Sequence, residues 1–236
     1  MLSWNLVNAT GMANDDYLGL GGMGAEDAQG YKRIFAKSKT VVISDAYLST
    51  DGPWKDTGLR ALVDFYDEGG TVVVDTEVGM FSIDQTLNQH FGCNWKLVKT
   101  DSLVCSPTDA GKELLGESAA PEIYFGKAHL MEVGRSEALY TRKPMSRLEF
   151  MTDIADLENP AQYGEEPDLD SIDDEYFVED YRAALRAWEA HLRDADLTPV
   201  ALHRARAGGG RLVWIGDRAQ EDTGMRGVLA TLMCAP

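Results

Sequence analysis

Apolar residues in this chain fall into short blocks whose spacing alternates between extended and helical. The run "TVVISDAY" from Thr40 is compact and β-branched, and it predicts a strand. Leu59, Leu62, Val63 and Tyr66 then fall on one face at helical spacing, and Gly69 and Gly70 close that helix. "TVVVD" at 71–75 predicts the next strand. In "SIDQTLNQHFG", Ser82 and Gln85 stand at capping-box spacing. Ile83, Leu87 and Phe91 form the apolar face of that helix, and Gly92 stops it. "NWKLV" at 94–98 predicts a further strand, and "AEDAQGYKRIFAKSK" from Ala25 predicts a helix ahead of the first one.

Strands alternating with helices in short succession imply right-handed crossovers and a largely parallel sheet. The runs "VVIS", "TVVV" and "LVWIG" do not alternate with polar residues, which implies strands covered on both faces. Beyond Thr100 the pattern loosens. "PTDAGKELLG" predicts a short helix, and "EIYFGKAHLMEV" and "EALYTR" predict strands joined by a Gly-Arg-Ser turn. Residues 153–180 carry twelve acids and no Lys or Arg, and their first part reads as a loop or insertion. In the amphipathic segment after it, Phe177, Tyr181, Leu185, Trp188 and Leu192 lie near helical spacing. A strand, a glycine turn, an antiparallel strand and a closing helix account for the end of the chain. The expected partition is one domain over 1–236, with a Gly-rich N-terminal segment at 1–24 and the acidic elaboration at 153–180.

Composition narrows the function. A chain of 236 residues that is 44% hydrophobic and 26% charged can bury one sizeable core. The net charge of −17 repels phosphate backbones and anionic lipids, so no nucleic acid and no membrane partner is expected. The N-terminus lacks a basic region followed by an apolar core. Cys93, Cys105 and Cys234 make neither a disulfide framework nor a metal pattern. The expected compartment is therefore reducing and cytoplasmic. Cys93 and Cys105 read as packed residues, His129 as part of a strand, and His191 and His203 as surface positions.

Three segments resemble the class I glutamine amidotransferase-like superfamily, in its divergent trehalose-utilisation-type and β-galactosidase trimerisation-like branches. They are "LRALVDFYDEGGTVVVD", "LNQHFGCNW" and "PVALHRARAGGGRLVWIGD". The resemblance implies an α/β, flavodoxin-like three-layer sandwich, with a mostly parallel sheet and a C-terminal antiparallel hairpin. In catalytic members a cysteine sits on a tight strand-to-helix elbow in a G-x-C-x-G context. Asp75, Thr76, Glu77, Val78 and Gly79 align with that context, so Glu77 stands where the cysteine would be. The late strand ends in "GDRAQED" without the family's histidine. The resemblance thus implies a scaffold without the Cys-His machinery, working as a binding or assembly module with a possible protein partner.

Two further readings come from the residues. Ligands of open α/β sheets bind beyond the carboxyl ends of the strands. Asp45, Asp75, Glu77 and Asp217 are expected there, with Ser44, Thr76, Arg218 and Glu221 nearby. Asp45, Glu77 and Asp217 could form a carboxylate rim for acid–base catalysis in a hydrolase-type enzyme, or, with Asp75, hold Mg²⁺ or Ca²⁺. The same acids could instead cap the helices that follow. Finally, Gly19, Gly21 and Gly24 match a G-x-G-x-x-G dinucleotide turn, with Asp45 as its acidic residue. The polar "GMANDDYL" before Gly19 and the helix-interrupting Gly30 count against that turn, so no cofactor is expected.

Overall fold

In the computed structural model the described residues are 31–32, 35, 38–44, 48, 57–76, 82–153, 155, 168–172, 174–205, 209–216, 228 and 231. The elements run β1 (Thr40–Ser44), α1 (Leu59–Asp67), β2 (Thr71–Asp75), α2 (Ile83–Phe91), β3 (Lys96–Pro107), α3 (Asp109–Leu115), β4 (Ile123–Glu132) and β5 (Ala138–Arg142). They continue with α4 (Arg147–Asp153), α5 (Glu175–Arg193), β6 (Val200–Arg204) and β7 (Arg211–Ile215). The chain divides into two compact units, Met1–Thr141 with Leu197–Pro236, and Arg142–Asp196.

The first unit is α/β. Its seven-stranded sheet has the order β1-β2-β7-β6-β5-β3-β4. It is mixed rather than mostly parallel. β1–β2 and β2–β7 pair parallel, whereas β6–β7, β5–β6 and β3–β4 pair antiparallel. The parallel part is where apolar runs are continuous, because β2 and β7 are covered on both sides. Val72, Val74, Leu212 and Trp214 pack with Leu59 and Leu62 of α1 and Leu87 and Phe91 of α2. Val73, Val213 and Ile215 belong to a second cluster with Leu115 of α3 and Phe125 of β4. Each such wholly buried aliphatic side chain contributes about 1.5–3 kcal/mol.

Local signals fix these helices. Leu59, Leu62 and Tyr66 are buried on α1. Ile83, Leu87 and Phe91 are the buried face of α2, which ends on Gly92 in the left-handed region at φ 71°. The capping box expected at its start does not form, because the Ser82 side chain makes no cap hydrogen bond. In the first turn the Asp84 side chain accepts from the Leu97 N–H at 3.1 Å. The strand expected at 94–98 runs on to Pro107, and its exposed and less exposed residues alternate. Thr100, Asp101 and Ser102 hid it, since a strand solvated on one face needs no apolar residue there.

The second unit is helical. Asp174 caps α5, accepting from the N–H groups of Tyr176 and Phe177 at 3.1 Å each. Tyr181, Ala184 and Met151 form its core, with Phe177, Leu185 and Trp188 packed against them. Arg147 Nη2 donates to the Tyr181 hydroxyl at 3.0 Å. A capping box closes the start of α4: the Ser146 N–H donates to Glu149 at 2.7 Å, and the Glu149 N–H to Ser146 Oγ at 3.2 Å. The inward face of α5 ends on His191, not on Leu192, which is 53% exposed. Positions 181, 184, 188 and 191 stay on one stripe, and 192 turns a further 100° away. His191 is therefore buried rather than a surface residue. It stacks on Trp188, with ring centroids 5.4 Å apart.

Candidate functional site at the carboxyl ends of the parallel strands

β1, β2 and β7 end level with one another. Ser44 pairs with Asp75, and Asp75 with Ile215, so the three carboxyl ends form a row at about 4.8 Å per strand. Asp45 follows Ser44 directly, while Glu77 and Asp217 follow Asp75 and Ile215 at the second residue. Asp45, Glu77 and Asp217 themselves lie outside the described residues, as do Gly19, Gly21, Gly24, Arg218 and Glu221. Of the expected acids, Asp75 is described: it closes β2, and its Oδ1 is buried. β2 ends at Asp75 and α2 begins at Ile83, so the segment carrying Glu77 connects this row to the helix.

The edge of β7 is then extended on both sides. Thr76 is buried and donates its N–H to the Ile215 carbonyl at 3.1 Å. On the other side His129 of β4 donates its N–H to the Gly216 carbonyl at 2.8 Å. Gly216 is required here, because a Cβ would run into the His129 carbonyl and the Trp214 ring. The His129 side chain is 6% exposed, and its Nδ1 lies 3.2 Å from Thr100 Oγ1. His129 thus stands at the end of the late strand, where the local sequence supplies no histidine. No local pattern announces it, because β4 meets Gly216 across a separation of 87 residues, from 129 to 216.

A second polar cluster lies at the opposite, amino end of β7, where His203 pairs with Leu212. Glu137 is its centre. Its Oε1 is 2.5 Å from His203 Nδ1, and its Oε2 accepts from Trp95 Nε1 at 3.2 Å and from the Gly134 N–H at 3.3 Å. His203 is thereby hydrogen-bonded to Glu137 rather than a free surface residue. Cys93 and Tyr66 adjoin this cluster. Burial first, then the Glu137 carboxylate, pushes the Cys93 thiol well above its ordinary range. Burial likewise raises the Tyr66 hydroxyl, with Cys93 adding to it. Cys105 is wholly buried on β3. Cys234 lies outside the described residues. Burial also pushes the Tyr140 hydroxyl up to about 12.

Among the described residues no group of three or more His, Cys, Asp or Glu side chains could hold a metal ion. Among them, too, no helix is long and apolar enough to cross a membrane. No protein-family model matches the chain, and no curated protein matches it.

Proposed function

We propose that this chain is a divergent member of the class I glutamine amidotransferase-like superfamily, on a flavodoxin-like three-layer scaffold with a C-terminal hairpin. In this reading it has lost thiol chemistry and works as a binding or assembly module in a reducing, cytoplasmic setting. The observation that supports it is the state of Cys93. A nucleophilic cysteine needs a lowered thiol pKa and electropositive neighbours. Cys93 has the reverse, a buried site beside a carboxylate that keeps the proton on sulfur. It also adjoins the cluster at the amino end of β7, whereas ligands of such sheets bind at the carboxyl end.

The test is an assay of glutamine hydrolysis, with alkylation of the native protein alongside it. The expected outcome is no ammonia release, and alkylation of Cys93 at pH 8 at least about 100-fold slower than for a free thiol. Ammonia release abolished by Cys93→Ala or Cys234→Ala overturns the reading.

A second reading is favoured by the row Ser44–Asp75–Ile215. If the strands depart side by side, Asp45, Glu77 and Asp217 fall within a small region. They would then suit a hydrolase-type enzyme, with or without Mg²⁺ or Ca²⁺. Here Glu77→Gln removes stabilisation by either cation in a thermal-shift series, and Glu165→Gln does not. Equal behaviour of the two variants leaves helix capping as the role of these acids.

A further inference from the structure

We draw no further inference here: the strongest candidate, the exposed apolar surface of the β3–β4 ribbon at Val98, Val104 and Tyr124, carries none, because nothing in the structure shows what covers it.

Discussion

The two ends of β7 hold polar clusters of opposite character. At the amino end Glu137 gathers three donors, from His203, Trp95 and Gly134, onto a single carboxylate. The main chain of Glu137 is tied as well, its N–H to Gly134 and its carbonyl to Leu202. Such a closed network fixes the turn before β5, the start of β3 and the hairpin strand β6 against one another. At the carboxyl end Thr76, Gly216 and His129 are joined through main-chain bonds, and the acid-bearing segments depart from level strand ends. One cluster turns its polar groups on each other; the other sets them where the chain leaves the sheet. A buried ionisable group is therefore weak grounds for a site until the destination of its hydrogen bonds is known.

Breaking the amino-end staple has the largest expected effect. Glu137→Ala strands the Trp95 N–H and the His203 ring and costs about 3 kcal/mol, a fall of roughly 8 °C in melting temperature. Glu137→Gln, which keeps an acceptor, should cost about half as much in the same melts. Next comes Gly216→Ala, which drives a methyl group into the His129 carbonyl and costs about 2 kcal/mol in urea unfolding. It also displaces His129, visible as a shift of its ring resonances. At the carboxyl end His129→Asn should lower stability by about 1 kcal/mol, because it loses the Thr100 contact but spares the main-chain bond to Gly216. A loss as large as that of Glu137→Ala would make the two ends equivalent and erase the contrast.

The smallest effect belongs to a carboxylate outside both clusters. Hydrogen bonds from the Ser146 N–H and hydroxyl hold Glu149 below its ordinary value, and it is fully exposed. A lowered folded-state pKa contributes stability above the unfolded carboxylate value of 4.5, and that contribution is lost as pH falls through the folded value. The protection factor of the Phe150 amide, whose N–H bonds the Ser146 carbonyl, should therefore fall on acidification once the intrinsic exchange rate is divided out. Glu149→Gln should flatten that dependence.

What could be read from the sequence was local. The faces of α1 and α2, the left-handed stop at Gly92 and the continuous apolar runs of β2 and β7 each follow from a few neighbouring residues. Two boxes of the same form show the limit. Ser82 with Gln85 has the spacing and makes no cap bond, whereas Ser146 with Glu149 closes fully. Beside the open box, Asp84 accepts from the Leu97 N–H, a contact between α2 and β3 that no local pattern encodes. The same reason hid His203 on Glu137, 66 residues away, and His129 on Gly216. At the candidate site the sequence marked where strands end, and Asp75 is placed there. The presence of His129 depends on where the edge strand β4 meets Gly216, a matter of topology rather than composition.

The pairing of β5 with β6 has a consequence for how this chain can vary. Tyr140 and Val200 are register partners, so the chain leaves for the helical unit and returns from it on adjacent strands. A segment entered and left through neighbouring positions can be lengthened, shortened or traded for a tight turn without moving any strand out of step. The 142–196 region is thus a natural place for lineages to diverge, free to drift or acquire new specificity while the strand pairing keeps its form.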